Sequence, residues 1–132
     1  MSIRAVVLGV VLSAAACGGG PTAPTAADLA GTWQGPTQQG RTISLQVTSA
    51  GITSLTVGFS VPGSFCTASG SSTTTFSNPL TITNGSFSYS GSGSTAISVN
   101  GTFSRTSASG SATVTSQTCG ASTTFTWSAT KN

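Results

Sequence analysis

The chain has 132 residues, a formal net charge of +3, four Lys or Arg, a single Asp, no Glu and no His. Ser and Thr supply 48 positions. General acid–base catalysis needs a group titrating near the working pH, a serine nucleophile needs a base beside it, and zinc or calcium needs clustered Cys, His or carboxylate ligands. The inventory therefore argues against an enzyme, a metal protein or a cofactor protein, and its scattered cations make no basic stripe for nucleic acid.

In chain order, the first element is Arg4 followed by an apolar run over 5–16 that ends in Ala14-Ala15-Ala16, before Cys17-Gly18-Gly19-Gly20. That charged, apolar, small-residue order reads as a secretory signal. Twelve apolar residues fall short of the roughly twenty that span a bilayer, so the run is expected to be removed. The stretch resembles a bacterial lipoprotein signal, in which small residues precede an obligatory cysteine. It departs at Ala14, where that family usually carries Leu. The resemblance implies diacylglycerol on the Cys17 thiol, an acylated amino terminus and a lipid anchor. With Gly18 rather than Asp after the cysteine, it implies the outer membrane of a bacterial envelope. The three alanines also suit ordinary signal peptidase, which would leave Cys17 a free thiol.

Three cysteines in an exported chain leave one unpaired. With Cys17 lipidated, Cys66 and Cys119 are free to pair with each other in an oxidising compartment. Residues 17–28 hold the lipidated cysteine and a Gly/Pro/Thr/Ala tether, and 29–132 form one domain. A short helical turn is expected near Ala26 to Ala30.

Beyond it, apolar residues alternate with Ser and Thr, the pattern of half-buried strands. Ile43, Leu45 and Val47 share one parity, as do Leu55, Val57, Phe59 and Val61, and then Phe125, Trp127 and Ala129. Strands are expected at 32–39, 41–48, 53–61, 72–77, 79–83, 86–90, 95–105, 110–117 and 122–130. At Asn84-Gly85 a two-residue turn would pair Thr83 with Ser86, Ile82 with Phe87 and Leu80 with Tyr89, which puts the apolar residues on one face. At Asn100-Gly101 the same turn would split Ile97 and Val99 from Phe103. A continuous strand keeps all three on one face, with Gly101 pointing inward. The fold class is all-β: an antiparallel β-sandwich of about eight strands, or alternatively a small up-and-down β-barrel.

Gly31-Thr32-Trp33 is similar to the Gly-x-Trp entry of lipocalin and avidin-like barrels. That resemblance implies a Trp33 that closes one barrel end beside a small-ligand cavity. The bland reading makes Trp33 a core residue of the entry strand. The body, with its Gln39–Phe59 hairpin and its Thr126–Thr130 closing strand, also resembles small Ser/Thr-rich β domains of bacterial exported proteins. That likeness speaks to fold rather than activity. Arg41 and Arg105 read as solvated strand-end charges that protect sheet edges. The expected function is a non-enzymatic, lipid-anchored envelope protein, a structural or interaction module for protein or polysaccharide. The alternative is a small-ligand carrier with Trp33 near the cavity entrance.

Overall fold

Alternating apolar and hydroxyl side chains give each strand one dry and one wet face, and the eight strands bury the dry face by curling a single sheet on itself. The computed structural model describes residues 23–132. The leader, Cys17 and the tether as far as residue 22 lie outside the described residues. A four-residue helix, α1 (Ala26–Leu29), precedes β1 (Gly31–Pro36), β2 (Thr42–Thr48), β3 (Gly51–Pro62), β4 (Thr67–Leu80), β5 (Ser86–Ser90), β6 (Thr95–Phe103), β7 (Ser107–Ser116) and β8 (Ala121–Lys131). Their spatial order is β4-β3-β2-β1-β8-β7-β6-β5, with every paired neighbour antiparallel. The all-β expectation holds. Of its two architectures the chain takes the up-and-down barrel, nearly closed, rather than two separate sheets.

Two meanders, β1–β4 and β5–β8, meet where β1 pairs with β8. Trp33 sits opposite Lys131 and Gln34 opposite Thr130, and the same register resumes at Thr37 and Trp127. Gly35 and Pro36 fall in the break, and Pro36 has no N–H to donate. The chain reinforces the joint from both ends. The Asn132 N–H donates to Thr32 O (2.9 Å) and the Gln38 N–H to Thr126 O (2.8 Å).

The predicted parities are those of the interior: Ile43, Leu45, Val47, Leu55, Val57, Phe59, Val61, Phe125, Trp127 and Ala129 are all buried. Ile52 joins them although its parity differs from that of Leu55. A bulge reconciles the two: Gln46 faces Ser54 while Val47 faces Ile52, leaving Thr53 as the extra residue.

The Asn84-Gly85 turn forms, with φ of 52° and 77°. Thr83 and Ser86 exchange both backbone hydrogen bonds at 2.9 Å. The expected ladder beyond it does not form, and 79–83 is not a separate strand. Leu80 instead ends β4 and pairs with Ile52 on β3. Between the Ser54–Thr75 and Ile52–Leu80 pairs, β4 carries Phe76 to Pro79 against the lone Thr53, an irregularity in the ladder, and β4 and β5 form no ladder with each other. The rings of Phe76 and Tyr89 meet edge to face across the resulting gap, with centroids 5.1 Å apart.

Asn100-Gly101 runs straight through β6, as the face pattern requires. Phe87, Gly101, Gly110 and Trp127 form one cross-strand row over β5 to β8. The two glycines leave room for the large rings at either end, whose centroids are 6.1 Å apart. A Cβ at Gly101 would overlap Trp127 and lie 2.9 Å from Phe87 Cε1. Overpacking of this kind costs about 1–3 kcal/mol. Gly101→Val is therefore expected to lower unfolding stability by at least that much. Urea titration followed by tryptophan fluorescence reads this loss, and an unchanged midpoint would contradict the packing described.

Candidate interaction surface

Among the described residues Trp33 is packed into the interior rather than set against an open pocket. Its side chain is fully buried and its indole N–H donates to Leu29 O (2.8 Å), while Phe103 packs edge-on at 5.0 Å. Leu29, also fully buried, is carried there by α1, which plugs the end of the barrel where β1 begins. Across the interior β3 packs on β7 and β8, so the barrel is flattened and its side chains fill it.

The plug is held by the only acidic side chain. Thr25 caps α1 and Asp28 answers it: Thr25 N–H and Oγ1 donate to Asp28 Oδ2 at 3.0 and 3.1 Å, and the Asp28 N–H donates to Thr25 Oγ1. Arg105 stands 3.7 Å from the same carboxylate, and Lys131 Nζ donates to Asp28 O. The Thr25 backbone and side-chain hydrogen bonds, then the two cations, hold the Asp28 carboxyl below its ordinary 3.8.

The opposite end is closed by the Cys66–Cys119 disulfide. Cys66 lies between β3 and β4 and Cys119 between β7 and β8, so the bond ties the two meanders together across the barrel mouth. The buried Ser116 hydroxyl accepts the Cys119 N–H (3.1 Å) and shapes that turn. Phe65, 84% exposed, stands beside it over Gly120.

What remains is the outer face, and it is a field of hydroxyls. Facing strands are joined by hydroxyl pairs at 2.9 Å: Thr56–Thr73, Thr113–Thr124, Thr115–Ser122 and Ser90–Ser98. Two concavities follow the broken β1–β8 joint. One of about 310 Å³ is lined by Gln34, Pro36, Ser107, Ser128 and Thr130 among others. The next, about 270 Å³, is lined by Thr37, Gln38 and Thr126. A wider, open one of about 620 Å³ spans β1 to β4, with Gln34, Arg41, Ser44 and Thr56 around Gly58 and Gly70.

Of the predicted site residues, the structure brings Cys66 and Cys119 together and buries Trp33 away from solvent; Cys17 lies outside the described residues. Arg41 and Arg105 are exposed charges at strand ends, and Arg41 shares the concavity at Gly70 with the edge strand β4. Arg41 precedes β2, an interior strand, and Arg105 lies between β6 and β7 and pairs with Asp28. Two glutamines carry structure that composition does not reveal. The Gln39 side chain donates to Ser60 O (2.7 Å) and accepts the Ser60 N–H (2.9 Å), standing in for a strand neighbour. The Gln38 Oε1 accepts the Thr126 N–H. Together they pin the β1–β2 loop to both meanders. No family model matches the chain, and no curated protein or solved structure matches it.

Two predictions follow from the ends of the barrel. The disulfide closes a 53-residue separation, which in the chain-entropy model is worth roughly 4 kcal/mol. Cys66→Ser/Cys119→Ser should lose about that much in urea unfolding, and added reductant should then change nothing further. Because the folded carboxyl of Asp28 binds its proton less readily than the unfolded one, its stabilisation is fully present above about pH 3.8 and is lost as pH falls through the lower folded value. With no His or Glu, the melting temperature should stay flat from about pH 5 to 7 and drop only in acid. In Asp28→Asn the acid limb should shrink. An unchanged acid limb would remove Asp28 from this role.

Proposed function

We propose that this is a non-enzymatic, lipid-anchored envelope protein whose β domain acts as an interaction module on its outer surface. The filled interior carries the reading. A barrel packed with Trp33, Phe103, Trp127 and the aliphatic rows offers its chemistry outward, through hydroxyls and shallow concavities, rather than through an enclosed cavity. That packing favours a surface module over a small-ligand carrier. Asp28, the lone carboxylate side chain, is engaged in the α1 cap, which leaves no free acid or base of that type for catalysis. Protein or polysaccharide of the envelope fits such a neutral surface; metal, cofactor and nucleic acid do not.

The anchor in this reading is Cys17, acylated after removal of residues 1–16, with the tether leading to α1. More than one acyl chain would hold it firmly, since a single chain binds only marginally. Intact-mass analysis of protein taken from native membranes tests this. The expected species starts at Cys17, carries acyl groups there, and is two hydrogens lighter for the Cys66–Cys119 bond. Cys17→Ser should move the protein out of the membrane fraction. A chain that keeps its leader, with Cys17 unmodified, would overturn the proposal.

A further inference from the structure

We propose that the free edge of β4 over residues 67–75 docks the same segment of a second copy of this chain, antiparallel, so that two barrels share one continuous sheet. This names a partner for the interaction module proposed above and does not depend on its lipid anchor.

β4 pairs with β3 in unbroken register from Thr67 to Thr75 before the irregularity at Phe76. Among the described residues no strand pairs with its other side. β5 is five residues long and pairs with β6. The Thr83–Ser86 bridge closes the turn after β4, and the Phe76–Tyr89 ring contact between β4 and β5 lies beyond residue 75. In an antiparallel strand alternate residues aim their backbone N–H and C=O at opposite neighbours, so this stretch presents a row of unpaired groups. Proteins usually blunt such a row with charge, proline or cover. Thr67-Ala68-Ser69-Gly70-Ser71-Ser72-Thr73-Thr74-Thr75 has neither charge nor proline of its own; Arg105 lies between β6 and β7, and Arg41, before β2, lines the outer concavity that reaches Gly70.

The segment itself has the chemistry its partner needs. Neighbouring strands here are joined on their outer face by hydroxyl pairs, one of them already made by Thr73 with Thr56. A strand that continues the sheet should present small hydroxyls at alternate positions and no charge. Residues 67–75 do so, and their pattern is nearly symmetric about Ser71. Antiparallel pairing centred there sets Thr67 opposite Thr75 and Ser69 opposite Thr73, with no like charges facing. Such a two-fold contact uses the same patch on both copies and closes on itself. On the inner side, the half-buried Ala68 and Phe76 would gain cover.

The test is sedimentation of the full chain, held in a mild non-ionic detergent, over a range of concentrations. It is paired with hydrogen exchange on peptides covering residues 67–78. The expected result is a monomer–dimer equilibrium, with amides of 67–75 slowing as the dimer fills. Ser69→Lys/Ser71→Lys sets Lys at 71 opposite its own copy and Lys at 69 diagonal to it across the two-fold, and should weaken the dimer at least about tenfold. Both serines are exposed and make no side-chain hydrogen bond among those described, so the variant should keep its tryptophan fluorescence and melting temperature. Thr102→Lys/Ser128→Lys adds the same charge on strands inside the sheet and should leave the dimer intact. A chain that stays monomeric, a dimer whose protection maps elsewhere, or a dimer indifferent to lysines at 69 and 71 would each overturn the proposal. A monomeric chain that still carries acyl groups on Cys17 would defeat this inference alone and leave the envelope reading standing.

Discussion

The fold depends on the joint between its first and last strands. β1 is six residues long and pairs with β8 at only two places, with Thr37 just beyond it adding a third, yet among the described residues this is the one laddered seam between the meanders β1–β4 and β5–β8. Without it each meander would be a four-stranded sheet with an apolar face open to water. With it the two faces turn toward each other and Trp33 sits where they meet. The supports of β1 make sense in this light: Asn132 on Thr32, Gln38 on Thr126, and the indole of Trp33 on Leu29. All act within a few residues of the joint, and all are uncharged.

A near-absence of charge shapes the rest. With one acid and four bases in the chain, ion pairs cannot organise the surface. The single Asp is spent at the barrel's plugged end, where it caps α1 and faces Arg105. Elsewhere cross-strand hydroxyl pairs take the place that Lys–Glu pairs hold on ordinary sheets. Each contributes little, and each also binds water well, so the outer face stays wet at low charge. The disulfide lies at the opposite end, on loops belonging to different meanders. It reinforces the same union that β1 makes.

Much of this is legible in the residues because alternation has only one reading when hydroxyls and aliphatics take turns. The rows at 43–47, 55–61 and 125–129 point inward as their parity requires, and Gly101 faces inward because any other register would expel Phe103. The turn at Asn84-Gly85 is equally legible, since two positive φ values need those residues. Its ladder is not. Local pattern favours Leu80 beside Tyr89, but β3 holds Leu80 on β4's other side and Phe76 to Pro79 take β4 out of line, with Pro79 unable to donate. Sheet closure is likewise beyond local pattern. Nothing near Gly31 says that it will find residue 131, so sandwich and barrel look alike in the sequence. The glutamine clamps are hidden for the same reason: Gln38 and Gln39 matter through Thr126 and Ser60, which are remote in sequence.

The two seams of the barrel are therefore unequal. At β1–β8 backbone groups pair and the disulfide backs them; at β4–β5 two aromatic rings bridge a gap. The second seam contributes little to holding the meanders together, since the first seam and the crosslink already fix them. Its open backbone groups are hydrated in the isolated chain and carry no desolvation penalty there. Among the described residues this seam is where a strand could be added without breaking an existing ladder. A fully hydrogen-bonded barrel would have no such place, and a sheet defended by lysines would repel a neutral strand less than it would repel its own copy. Low charge, a filled interior and one unsealed seam thus belong to a single arrangement, in which the ladder that unites the meanders and the seam left without one lie on opposite sides of the barrel.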